Sequence, residues 1–214
     1  MKFFFVILFL FFTCLKQTTC ADVLIKPYKK QYSWKSEWSF SLREELKKNE
    51  YRETPLAFLN NEIDEEDLKE LDCVGYNSAS YEDKMDFWIV FFSALTRAES
   101  AFNEKVVSPK SRGQRNYGLL QLAKQTAINE CKIITPDKNV LNAQDNLKCG
   151  IHLMHWQLLG APDRAGKKKR PDLAGQLFGK RIFQWGPLRQ NDRRGRALLI
   201  NWFKDHLDQL SFCH

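Results

Sequence analysis

The strongest hydrophobic pattern past the N-terminal run lies at 84–99, "KMDFWIVFFSALTRAE". It is apolar almost all round, lacks the alternation of a strand and is long enough for four helical turns, which predicts a buried helix. Trp88, Phe92, Leu95 and Glu99 recur at spacings of four, three and four, so they share one face. A second helix starts at Asn142 or Asp145. Its stripe of Leu147, Ile151, Met154 and Leu158 runs until Gly160 and Pro162 stop it. A third covers 195–210, with Leu198, Leu199, Trp202, Phe203 and Leu207 apolar. Towards the N-terminus, an irregular stretch precedes a helix near 38–49. Residues 61–72 are acidic, with Ile63, Leu68 and Leu71 as the only apolar positions, and predict a short surface helix. No stretch alternates convincingly and no repeat is present. The fold class is therefore mainly α, with a partly helical N-terminal extension at 22–75 placed to wrap a main domain at 76–214.

Composition narrows the class. A chain of 214 residues with 43% hydrophobic and 13% aromatic content suits one domain with a small appendage and excludes wholesale disorder. Lys2 precedes ten consecutive apolar residues, Phe3 to Phe12, and Thr19-Cys20-Ala21 has small residues at both recognition positions of a signal-peptidase site. Residues 1–21 read as a cleaved secretory signal, too short in its apolar part to span a bilayer comfortably. A secreted or periplasmic monomer is expected, without stable membrane insertion after cleavage. Cys14 and Cys20 leave with the signal, and four cysteines remain. In an oxidising compartment that suggests two disulfides with three possible connectivities. The short local loop favours Cys131–Cys149, which leaves Cys73–Cys213. Closely spaced Cys/His pairs of the zinc type are missing. His152 and His155, one turn apart, have no evident third ligand, so neither a metal nor a cofactor is expected.

The net charge of +7 becomes +5 once Lys2 and Lys16 depart, because no acid leaves with them. A moderate positive charge favours anionic partners. Residues 164–196 carry eleven Lys or Arg against two acids, Asp172 and Asp192. The "GKKKRP" stretch at 166–171 is either a solvated basic loop or an electrostatic contact with an anionic polymer. Nucleic-acid binding through "GKKKR" and "RRGR" is disfavoured by export and by the acid-bearing apolar helix.

Glu99 carries the candidate chemistry. It continues an apolar stripe and sits at a helix C-terminus, where the dipole disfavours another negative charge. Both effects raise a carboxyl pKa above its usual value of about 4.3. An acid still protonated near neutrality can donate a proton to a leaving group. The plain alternative is a capping or salt-bridged Glu, paired with Arg97 or Lys105.

The neighbouring segments shift that balance. "AESAFNEKVVSP" at 98–109, "YGLLQLAKQTA" at 117–127, "DNLKCGIHLM" at 145–154 and "FQWGPLR" at 183–189 follow one another in order. Together, over about residues 80–205, they resemble the soluble lytic transglycosylases and the related goose-type lysozymes. Glu99, Ser100, Phe102, Ser108 and Pro109 match the first block, and Gly118, Leu119, Gln121, Leu122, Thr126 and Ala127 the second. Asn146, Leu147 and Gly150 fit the third, Gly186 and Pro187 the last. The resemblance implies a lysozyme-like fold and a peptidoglycan substrate, with Glu99 as acid and then base. Ser100 would hydrogen-bond near the scissile linkage and Gln121 would contact sugar substituents. Gly118 would allow close backbone approach, and Asn146 would hold the cleft loops or touch substrate. Trp156, Trp185 and Trp202 would either stack on sugars or pack in the core.

Two departures stand out. The loop "SPKSRGQRNYG" is longer than the pattern, so Arg112, Arg115, Asn116 and Tyr117 are placed to reshape a cleft. Phe183 and Gln184 stand where the family has Tyr-Asn, so the hydroxyl that would orient Glu99 is missing, with Tyr117 a candidate substitute. A transglycosylase needs one carboxyl group. A hydrolase usually needs a second, for which Asp137, Asp145 and Glu104 are candidates by composition only. Lysozyme-type hydrolysis and a non-catalytic wall-binding domain remain the alternatives.

Overall fold

Twenty residues, Tyr81–Ser100, form the longest helix of the computed structural model, which describes residues 23–29, 32–48, 58–111, 113–131, 140–160, 173–180 and 184–214. The expected signal segment, the 166–171 loop, Asp137, Arg112 and Phe183 lie outside the described residues.

We label the helices α1 (Ser36–Leu46), α2 (Glu65–Glu70), α3 (Tyr81–Ser100), α4 (Lys124–Asn129), α5 (Ala143–Leu158) and α6 (Arg193–Lys204). Ser80 opens α3 by accepting a hydrogen bond from the Asp83 amide. The all-round apolarity of α3 has the expected consequence: Phe87, Trp88, Val90, Phe91, Phe92 and Leu95 are fully buried. Trp88 stays satisfied there because its Nε1–H donates to the Tyr76 hydroxyl at 2.9 Å. Truncating such a ring to Ala costs about 3–5 kcal/mol. Helix α6 packs along α3, and α1 packs on α5 and α3. A short 3-10 turn, Gly186–Leu188, lies between α3 and α6 and brings the last quarter of the chain to the C-terminal end of α3.

The mainly helical class stands, with corrected boundaries. The helix expected near 38–49 is α1. The helix expected over 195–210 runs Arg193–Lys204 and gives way to a 3-10 turn at Leu207–Gln209. The acidic 61–72 stretch holds a short helix whose Glu65, Glu66 and Lys69 face is exposed, as expected, while its other face is buried. Only Glu65–Glu70 is helical, capped by Asp64, and Ile63, Leu68 and Leu71 are buried. Asp67 is buried too, accepting from the amides of Leu177 and Phe178 at 2.7 and 3.1 Å. Burial, opposed by those two amides, pushes its carboxyl up to about 6. Strands were not expected, yet a two-stranded antiparallel hairpin exists, β1 (Asn116–Tyr117) and β2 (Leu122–Ala123), with Tyr117 opposite Leu122. Two residues per strand are too few for alternation to register in a sequence.

Both favoured disulfides are present, Cys131–Cys149 and Cys73–Cys213, with sequence separations of 18 and 140. The N-terminal segment lies against the C-terminal one. Leu24 exchanges two hydrogen bonds with the Gln209 side chain, at 2.7 and 2.9 Å. The Lys26 amide donates to His206 Nε2 at 2.9 Å. That contact needs a neutral imidazole, and burial lowers the His206 pKa accordingly.

Candidate active site

Helix α3 ends one residue after Glu99, at Ser100, and the chain reverses sharply. Ala101 closes the helix in the left-handed region at φ 50°, and Phe102 follows at φ 65°. Neither is glycine, so the turn costs roughly 1–2 kcal/mol per residue. It is held because the Phe102 side chain, 2% exposed, is clasped by Trp202 from α6 and by Tyr28 and Trp34 from the N-terminal segment. Their ring centroids lie 5.3–6.2 Å from that of Phe102. Three side chains from two distant stretches thus fix the turn that follows Glu99.

The Glu99 side chain is partly exposed, but its carboxyl is largely desolvated. The Gly186 amide donates to it. A Cβ placed on Gly186 would sit 4.0 Å from Glu99 Oε1 and only 2.8 Å from Asp192 Oδ2, so both acids flank one glycine. Asp192 is held by its other oxygen: Oδ1 accepts from the Gly195 amide at 2.9 Å and caps α6. Burial, first, and the Asp192 charge, second, push the Glu99 carboxyl up to about 8, against the Gly186 amide and the Arg189 guanidinium. The group is therefore mostly protonated at neutral pH and can release a proton, then take one back.

The hairpin is tied down by one buried amide. Asn146 Oδ1 accepts from the Leu120 amide at 2.8 Å, and its Nδ2 donates to the carbonyls of Val140 and Tyr117 at 2.8 and 3.1 Å. Gly118, at φ 74°, touches the same knot: a Cβ there would meet Asn146 Nδ2 and the Val140 oxygen, each at 2.7 Å. Gly150 of α5 leaves room for Leu120, whose Cδ1 would lie 2.2 Å from an added Cβ. The Trp185 Nε1–H donates to the Leu120 carbonyl at 3.0 Å, joining the hairpin to the segment that carries Gly186.

Residues 77–167, which hold Glu99, the hairpin and α5, match the transglycosylase SLT domain family. That segment is similar to the SLT domain. Members of that family are lytic transglycosylases, enzymes that cleave the glycosidic bonds of peptidoglycan. Solved structures agree in fold. A Glu-to-Gln mutant of Bd0314 DslA superimposes with a TM-score of 0.59 at 21% identity, over 84% of this chain and 92% of that one. Its wild-type form 2 gives 0.57 at 22% over the same shares. No curated protein matches the sequence.

Within and around the matched segment, the residues singled out by sequence sort by geometry. Ser100 donates to the Thr96 carbonyl one turn back, at 3.1 Å. Gln121, at φ 47°, turns its amide onto the carbonyls of Gly118 and Val106, at 2.8 and 3.3 Å, and so braces the hairpin. Asn146 and Gly118 serve the knot just described. Tyr117 lines an open pocket of about 440 Å³ together with Lys110, Arg115 and Lys124. The last block brings the Gly186 amide and Arg189 to Glu99, and Asp192 just beyond it adds a second acid. Of the composition-based second acids, Glu104 is paired with Lys35 at 3.2 Å, and Asp145 sits in the first turn of α5. Trp185 is buried and Trp202 packs on Phe102, whereas Trp156 is 45% exposed and donates to His152 Nε2. His155 faces Asn61 and Phe58 instead, so the two histidines turn to different neighbours. Asp192 is the residue that sequence reasoning missed. Its one signal was position: an Asp three residues before Gly195 at a helix start, which reads only as a cap.

Proposed function

We propose that this is an exported lytic transglycosylase in which Glu99 alone serves as acid and then base. The observation that carries the reading is a carboxyl with a pKa of about 8, partly open to solvent, inside an SLT domain. Protonated Glu99 gives its proton to the glycosidic oxygen between N-acetylmuramic acid and N-acetylglucosamine as the C1–O bond breaks. The carboxylate then removes the proton from the muramic C6 hydroxyl, whose oxygen bonds to C1. The product ends in a 1,6-anhydro ring, no water is consumed, and Glu99 is left protonated for the next cycle. A raised pKa serves both halves, because a group that releases its proton reluctantly also recovers it readily. Peptidoglycan carries carboxylate-bearing peptides, which suits a chain of net positive charge. The pocket beside Tyr117 adds three cations to that surface.

Glu99→Gln keeps the shape of the side chain and cannot supply the proton. We expect turbidity clearance of peptidoglycan to fall by at least about a hundredfold, the usual minimum for losing a general acid. Mass analysis of the wild-type digest is expected to show anhydro ends, one water lighter than hydrolysed ones. Hydrated ends with the same Glu99 dependence would make the enzyme a lysozyme-type hydrolase.

A further inference from the structure

We propose that Asp192 is a positioning residue for Glu99, holding a fixed negative charge across Gly186 from the carboxyl that reacts. The inference rests on the catalytic reading of Glu99 and adds a device that the SLT match does not reach, since that match ends at 167.

The geometry separates two duties within one side chain. Asp192 Oδ1 caps α6 through the Gly195 amide at 2.9 Å. A neutral Asn caps a helix as well as Asp does, so the cap does not require the charge. Asp192 Oδ2, which also lies against Gly195, is 2.8 Å from where a Cβ on Gly186 would stand, and Glu99 Oε1 is 4.0 Å from that same point. The glycine is the spacer: any side chain there would wedge between the two acids. The cap pins Asp192 in place, so its charge cannot swing away from Glu99 when substrate arrives. The charged groups acting on Glu99 are Asp192 at the start of α6 and Arg189 in the turn before it, with the Gly186 amide between them. Asp192 opposes the other two, keeping the proton on Glu99 until the glycosidic oxygen takes it. Like charges held this close favour the protonated form of one partner.

The test is Asp192→Asn in the full chain, with Asp192→Ser as a second neutral cap. Both keep a cap and remove the charge. The pH profile of peptidoglycan cleavage is measured beside wild type, with thermal melting as the control for folding. We expect the alkaline limb to move to lower pH by about one unit, a roughly tenfold loss of rate above pH 8. At pH 5 the variants are expected to stay within about twofold of wild type, since Glu99 is protonated there in both. An unmoved alkaline limb in a folded variant overturns the proposal, as does a loss equal at every pH. Glu99→Gln is run in parallel. If it retains clearance, the catalytic reading itself fails, which a negative result at Asp192 alone would not imply.

Discussion

Glu99 is a destabilising residue by the same physics that suits it to its chemistry. Its carboxyl has a pKa of about 8 in the folded protein, against 4.5 when unfolded. Between those values the folded protein holds a proton that the unfolded chain has released, so stability falls as pH rises across that window. Glu99→Gln removes this dependence. We expect the variant to melt at nearly the wild-type temperature near pH 4 and higher than wild type at pH 8–9, by at least about 2–4 °C for each kcal/mol relieved. Equal melting curves at both pH values would contradict the buried-acid description. For Glu99 the sequence pointed to burial, through the apolar stripe it continues, and burial is the largest cause of its raised pKa; the second cause, the Asp192 charge, comes from a distant part of the chain. Asp192 was not legible, because its importance arises only when the Gly186–Leu188 turn carries it back to the end of α3. Asn146 was legible as a residue that holds loops and Gly118 as a close approach, whereas Gln121 was expected on sugar and not as a brace of the hairpin; its partners are backbone atoms, which no side-chain pattern encodes.

Helix α3 ends at a turn that its own sequence does not favour. Ala101 occupies the left-handed region, where glycine is the usual residue. Ala101→Gly is expected to raise stability by roughly 0.5–1 kcal/mol, read as a higher urea midpoint with an unchanged m-value. An unchanged or lower midpoint would mean that the aromatic clasp on Phe102 already compensates the strain in full. The buried helices α3 and α5 were readable to within a few residues, since long apolar periodicity outweighs uncertainty at the ends. Helix α2 was legible as a short surface helix, but the depth of its inner face was not. Three apolar side chains and one buried carboxylate embed it, and that carboxylate is satisfied by amides more than a hundred residues away. The β1–β2 hairpin left no trace because its register is set by Asn146 rather than by alternation.

Across the whole molecule, the two disulfides close loops of very different length. In the chain-entropy model, Cys73–Cys213, spanning 140 residues, is worth about 5 kcal/mol and Cys131–Cys149, spanning 18, about 3 kcal/mol. Replacing each pair by alanine should lower the unfolding free energy more for the first pair, as measured by denaturant titration. The reverse order would mean that Cys131–Cys149, which ties α5 to the end of α4, gains from local rigidity beyond entropy. The long bridge belongs with the pairing of Leu24 and Lys26 to the 206–209 segment, and with the clasp of Tyr28, Trp34 and Trp202 around Phe102. These contacts have a consequence in time. A polypeptide is made from its N-terminus onward. When residues 23–102 have been made, Glu99 is already in the chain, but Gly186, Asp192, Trp202 and Cys213 are still to come. Its carboxyl then stands in water as an ordinary anion at neutral pH, with no proton to give. The proton-holding state of Glu99 therefore arrives only with the last stretch of chain.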